Sequence, residues 1–343
     1  MPYYYNSCPC AIEATPQNFT CGIDVVWHGG RGIIGDNWQF TVAYVYGMSN
    51  LISDSPSKPW RSTQDQVACS IVLDFKQHNR FYADCVAFFG CNVRTLTWDA
   101  CNDGTTWGSI NETIYFDIFT TGAVASVDGN VIGDAGLSDV FDDHELKNKY
   151  MRLTAGTDNG KTYKILDNVG NNLVLDITAA TNIAVADTYI IFQNHTSKYV
   201  SAVAAGYRYH RFTIPVTEQT AEGYYQLGTL VLGKSIKLPH RWGPGYTNDN
   251  VYDITVVRTP HGGMYPIKGA DFKQLFELQW PFSDDTRKDL KHLCNFLQGK
   301  NICLIPDHTD EDDCYLVKLI GDLKQSGGMY DHFDLSITLE EVL

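Results

Sequence analysis

The sequence predicts a mainly β protein: a larger β-domain interrupted by a small inserted β-module and followed by an α+β unit. Three observations carry that reading. The chain holds 7 Trp, 20 Tyr and 16 Phe in 343 residues, and aromatic side chains suit half-buried pleated surfaces. It also holds 29 Gly and 12 Pro, which punctuate a chain into short elements joined by turns. Finally, the style of the strand signals changes near Gly122 and changes back near Tyr207.

The first β-rich part offers strand patterns at residues 38–45 (WQFTVAYV), 68–75 (ACSIVLDF), 93–98 (VRTLTW) and 113–119 (TIYFDIF). Each alternates or clusters β-formers between turn residues. Asn102-Asp103-Gly104, followed by Trp107, has the pattern of a hairpin tip. Residues 122–145 are rich in Gly, Asp and small side chains, with six acids and no Lys or Arg. Four short strands then follow within about 45 residues, at 150–154, 162–166, 173–177 and 188–192, as expected of a small barrel or meander. Longer strands resume at 207–215 and 223–232. An insertion at a loop tip is the simplest arrangement, and it requires Gly122 and Ser197 to lie close together. Residues 1–34 read as an N-terminal extension, 35–121 with 197–238 as the larger domain, and 122–196 as the insertion. Residues 239–343 read as the C-terminal α+β domain, opening on the linker PHRWGPGYTNDN. A helix is expected after Ser283. Asp284 and Asp285 suit its first turn, Leu290, Leu293, Cys294 and Leu297 recur at helical spacing, and Gly299 supplies the stop. Strands are expected at 302–306, 314–319 and 332–339.

Charge excludes one class of partner. The balance is 26 basic minus 40 acidic residues, or −14, and no basic stripe relieves it, so a nucleic-acid grip is not expected. The acid is concentrated at residues 307–343, with ten Asp or Glu against two Lys. No apolar run approaches the roughly 20 residues of a membrane span. The opening MPYYYNSCPC lacks the basic and apolar regions of a secretion signal. A soluble chain without an exit signal is expected. Its ten cysteines then act mainly as small buried hydrophobes, and the sequons at Asn18, Asn111 and Asn194 carry little weight. Cys8-Pro-Cys10 with Cys21 lacks the paired spacing of a zinc site.

Few motifs promise catalysis. Residues 156–162 (GTDNGKT) approach the phosphate-binding pattern GxxxxGK[ST], with Ala155 where its first Gly belongs. That pattern needs a helix after the loop, whereas KTYKI continues as a strand and Asp158-Asn159-Gly160 is turn material. Lys161 is therefore expected to face solvent. No nucleophile elbow or zincin helix is present. His292 and Cys294, two apart on a helix, point to different faces. Asp142, Asp143 and Glu145, or Asp310–Asp313, could serve as paired carboxylates or oxygen ligands for Ca²⁺, but both clusters sit in loops and neither has EF-hand spacing. No catalytic, cofactor or metal residue is assigned. The remaining signal is aromatic: Trp98, Trp107, Trp242 and Tyr246, with Trp60 and Tyr252, are candidates for stacking a ligand or meeting a partner, against the alternative that they fill cores.

Several stretches resemble a known family. Residues 82–97 (YADCVAFFGCNVRTLT) and 102–107 (NDGTTW) are similar to the galactose-binding-like, or discoidin, jelly-roll modules of tailed-phage structural proteins. Residues 207–233 (YRYHRFTIPVTEQTAEGYYQLGTLVLG) look like the closing strands of that module. Residues 149–192 resemble a small β-module recurrent in phage tail and virion proteins, with a G…G..y.I..N....l.l core. Residues 276–343 resemble distal-tail-like minor tail components, whose belt domains join into rings.

The resemblance implies a jelly-roll β-sandwich carrying an inserted small β-barrel or meander, then an α+β assembly domain. It implies a structural component of a tailed-phage virion, a minor tail or tail-tip protein assembled in the host cytoplasm, and no catalytic site. Its implied partners are other virion proteins (tail tube, hub, fibre or head-completion components) and further copies of itself in a ring. A module binding host-surface glycan or receptor is the first alternative, and a glycoside hydrolase or depolymerase the second.

Overall fold

The structure is a computed structural model. It describes residues 26–28, 31–33, 59–62, 68–75, 81–177, 182–200, 203, 206–233, 235, 247–251, 254–258, 264–268, 273–282, 301–305, 314–327 and 333–342. The described part is mainly β, in several antiparallel sheets, and no helix within it is long and apolar enough to cross a membrane. The expected strand at 38–45 and the expected helix after Ser283 lie outside the described residues.

A short hairpin, β1 (Val26–His28) with β2 (Arg31–Ile33), precedes the first module. The sandwich is then built from β3 (Trp60–Arg61), β4 (Cys69–Asp74), β5 (Cys85–Phe89), β6 (Thr95–Cys101) and β7 (Ile110–Tyr115). The chain returns to it at β15 (Thr196–Tyr199), β16 (Tyr209–Ile214), β18 (Gln226–Leu227) and β19 (Thr229–Gly233). One sheet runs β4-β16-β6-β7 and the facing one β15-β5-β19, with β18 pairing β3 at the side. Alternation decides which side chains meet. In β16 His210, Phe212 and Ile214 point inward while Tyr209, Arg211 and Thr213 do not. Phe212 packs edge-on to Phe88 of the facing sheet and stacks near Trp98 of β6.

His210 is buried among Phe75, Phe81, Tyr207 and Trp98. The Trp98 indole N–H donates to its Nδ1 at 3.2 Å, so the neutral ring carries its proton on Nε2. Burial pushes its pKa down to about 4 from 6.5. Because the unfolded chain takes the proton more readily, this group's contribution is complete above pH 6.5 and is lost as pH falls toward 4. Urea melts across that window will show a loss of about 3 kcal/mol from this residue. A His210→Gln protein, which keeps an acceptor for Trp98, will show a shallower pH slope; an unchanged slope would contradict the assignment.

The second module lies between β7 and β15. Its strands are β8 (Ile118–Ala123), β9 (Ser126–Asp128), β10 (Val131–Gly133), β11 (Tyr150–Leu153), β12 (Lys161–Val169), β13 (Asn172–Leu175) and β14 (Thr188–Phe192), with a 3-10 turn at Leu137–Asp139. They run β8-β14-β11-β12-β13-β10-β9. The ends of that order, β8 and β9, are one stretch of chain bent at Val124 and Ala125. Val124 donates to Asp187 and Ala125 to Gly133, at opposite ends of the sheet. The sheet thus closes into a small barrel around Ile132, Met151, Leu153, Tyr163, Ile165, Leu173, Leu175, Tyr189 and Ile191. Gly156 sits at φ +92° where a Cβ would collide with the Asp187 carboxylate, so this turn needs glycine.

The crossing between modules is narrow. The sequence pattern at 113–119 suggests one strand, but Phe116 is buried in the sandwich core and Asp117 accepts the Gln193 N–H at 3.1 Å. The run divides there into β7 and β8. Thr196 Oγ1 donates to the Tyr115 carbonyl at 2.9 Å on the way back. Gly122 pairs with Tyr189 in the barrel, and Ser197 pairs with Ala87 in the sandwich.

Beyond the crossing, three features join the modules. Tyr150 and Phe192 of the barrel belong to the sandwich core. The sandwich loop contributes β17 (Gln219–Thr220), which pairs in parallel with Lys161 and Thr162. Glu218 accepts from Arg152 of the barrel and from the Arg94 backbone N–H of the sandwich, while Arg152 also reaches the Thr217 carbonyl at 3.0 Å.

The C-terminal strands are β20 (Thr247–Val251), β21 (Ile254–Arg258), β22 (Met264–Lys268), β23 (Lys273–Phe282), β24 (Asn301–Leu304), β25 (Tyr315–Gly327) and β26 (Phe333–Glu341). Five form an antiparallel sheet, β20-β23-β26-β25-β24, and β21 pairs β22. Cys314 and Leu316 pack on Ala87 and Phe89, the face of β5 turned away from the sandwich core.

Candidate functional site

Among the described residues, the hairpin tip between β6 and β7 holds the one sequence-selected aromatic that is left accessible. Asp103 Oδ1 accepts the N–H groups of Thr105 (2.9 Å) and Thr106 (2.7 Å), a short side chain closing the turn. Those bonds hold its carboxyl well below the usual carboxylate range. Gly104, at φ +75°, lies over the Tyr209 ring, where a Cβ would press at 3.4 Å. The tip then delivers Trp107, half-buried, against β16.

Two carboxylate–arginine–aromatic stacks form along β16 and at the residue just before it. The Arg211 guanidinium lies 4.2 Å over the Trp107 ring and holds Asp99 at 2.9 and 3.2 Å. The Arg208 guanidinium lies 4.7 Å from the Tyr209 ring centre and grips Asp74 with two bonds of 2.8 and 3.0 Å. Arg208 also donates its backbone N–H to Asn102 Oδ1 at 3.2 Å, tying the tip down. Planar guanidinium groups satisfy a carboxylate and a ring at once. Each arginine's charge is thereby matched. The site can offer a flat, preorganised contact surface, and it holds no activated nucleophile.

Trp98 has to be withdrawn from the platform: it is 0% exposed, packed between His210 and Phe212. Its position on β6 is inward in the strand alternation, so it fills the core. Trp60 is likewise fully buried. Trp242, Tyr246 and Tyr252 lie outside the described residues. What the sequence reading missed is the arginine half of the site. The signal was present in YRYHRFT, whose period-2 alternation puts Tyr209 and Arg211 on one face and His210 and Phe212 on the other.

The near-match GTDNGKT forms the hairpin turn between β11 and β12, with Gly160 N–H bonded to the Leu153 carbonyl at 2.8 Å. Lys161 opens a strand, 3.8 Å from Asp158. It borders a polar cleft of about 290 Å³ with Asn159 and Gln219. Asp158 is occupied by the Tyr163 hydroxyl at 2.7 Å and by Asn182. A Lys161→Ala protein will therefore melt at the wild-type temperature with or without Mg·ATP. Thermal stabilisation of the wild type by ATP, lost in the variant, would contradict this.

The acids near 142–145 are committed to turns: Asp143 accepts from Gly170 N–H, in the distant β12–β13 turn, at 2.6 Å, and Glu145 from Asp142 N–H at 3.0 Å. Asp310–Asp313 lie outside the described residues. Among the described residues no group of three or more His, Cys, Asp or Glu side chains is placed to hold a metal ion. The chain matches no family model, no curated protein and no solved structure.

Proposed function

We propose that this chain is an architectural subunit of a virus particle, a minor tail or tail-tip component of a tailed phage that meets neighbouring subunits. The observation that supports it is the locked seam between sandwich and barrel. Two modules that share core residues, a strand pairing and a buried ion pair form a stiff body. Stiff bodies suit repeated protein–protein contacts because little ordering entropy is lost on association. The polar side chains of the described modules are largely committed to turns and pairs of this kind, which is the economy of a scaffold. Its partners on this reading are other virion proteins and further copies of itself in a ring.

A second reading, a glycan- or receptor-binding module of the same particle, is favoured by the half-exposed Trp107 against Arg211. Incubation on a glycan array, with release of reducing ends as a parallel readout, separates the readings. Silence in both is expected of the scaffold. Binding without release that is lost in a Trp107→Ala protein moves the assignment to the glycan module, and release of reducing ends moves it to a hydrolase.

A further inference from the structure

The hairpin turn that approaches a phosphate-loop pattern forms one side of a cleft between the two modules. Thr157, Asp158, Asn159 and Lys161 line it from the barrel, and Gln219 and Thr220 of β17 line it from the sandwich. The two sides are fixed to each other. Gln219 pairs with Lys161 and Thr220 with Thr162, and the Ala221 N–H donates to the Thr162 carbonyl at 2.7 Å. The cleft holds about 290 Å³, the small end of the roughly 300–1,000 Å³ of ligand pockets.

What this lining lacks is acceptors. Asp158 carries its one negative charge, and the carboxylate already accepts from the Tyr163 hydroxyl at 2.7 Å and from the Asn182 N–H and amide at 3.2 and 3.3 Å. The Lys161 ammonium stands 3.8 Å from that carboxylate, beyond hydrogen-bond reach. Among the described residues no acceptor takes its protons. The side chains of Thr157, Asn159 and Gln219 likewise make no hydrogen bond there.

The bonding pattern selects the ligand. A phosphate group needs a cradle of free backbone N–H groups. Those of Asn159, Gly160 and Lys161 are spent on the Gly156, Leu153 and Asp158 carbonyls, at 3.4, 2.8 and 3.0 Å. A divalent cation needs several oxygen ligands, and the single carboxylate is occupied. A carboxylate flanked by hydroxyls meets what is present. Its oxygens accept from the ammonium, and its hydroxyls exchange bonds with amide and hydroxyl side chains that both donate and accept.

We propose that the cleft binds a small monoanionic hydroxy acid of sugar-acid size, with Lys161 on its carboxylate and Asn159 and Gln219 on its hydroxyls. The ligand bridges barrel and sandwich and stabilises the seam. This site is separate from the Trp107 surface and does not depend on the chain being a virion subunit.

The test titrates the full chain with sodium gluconate at constant ionic strength, following the amide NMR signals of the β11–β12 hairpin and the melting temperature. The expected result is a saturating shift of those signals and a rise in melting temperature. The Lys161→Ala protein, which folds normally on this account, is expected to bind at least about tenfold more weakly, the size of one charge-assisted hydrogen bond. A Gln219→Ala protein is expected to bind several-fold more weakly. Acetate, sorbitol and inorganic phosphate, each lacking part of the chemistry, are expected to bind at least about tenfold more weakly than gluconate. No saturating shift with gluconate, undiminished binding in Lys161→Ala, or equal binding of any of the three controls would overturn the proposal.

Discussion

A Glu218→Ala protein will lose about 3–5 kcal/mol of stability, the cost of removing one partner from a buried ion pair. The side chains of Arg152 and Glu218 are only 13% and 3% exposed. Removing the carboxylate leaves the guanidinium without its counter-charge and the Arg94 N–H without its acceptor. The loss falls on the seam, so limited proteolysis is expected to cut first near the crossing at Asp117 and Gln193, before either module is degraded. The double change Arg152→Met with Glu218→Leu will recover most of the loss, because an apolar pair of similar volume does not strand a charge. Urea melts of the three proteins check this. A single variant as stable as wild type would show that the pair does not hold the modules together.

The second large effect lies in the sandwich core. Trp98→Ala will cost about 3–5 kcal/mol, the range for emptying a large aromatic site. It removes the ring that packs near Phe212 and the indole N–H that satisfies His210. Trp107→Ala, on the hairpin tip, will cost no more than about 1 kcal/mol, the size of a partly exposed cation–π contact with Arg211. The two tryptophans are nine residues apart in sequence, and denaturant melts separate them. Equal losses would place Trp107 in a core as well.

The strand pattern of the first two modules was legible because local chemistry and tertiary environment agree there. Residues 188–192 were expected to form a strand and do so as β14, and GTDNGKT was expected to be a turn because the residues after it have strand character. Where the two diverge, reading failed. Residues 113–119 look like one strand, since the side chains carry no mark of the change of partner at Phe116–Asp117. The closure of the barrel through Val124 is likewise invisible, because pairing between distant segments is a property of register and not of composition. Trp98 and Trp107 were indistinguishable as residue types; Trp98 is set apart by its inward place in the alternation of β6, once a core is placed on one side, and Trp107 by lying on the hairpin tip beyond that strand. The arginine stacks could have been found from YRYHRFT, but their acidic partners Asp74 and Asp99 lie on neighbouring strands far off in sequence.

The proposal that this chain belongs to a particle is tested most directly by electron microscopy of particles purified from the culture that makes it, labelled with gold-conjugated antibody against the sandwich and barrel. The account predicts label at one fixed position on each particle. Chain confined to the soluble fraction, with unlabelled particles, would contradict it.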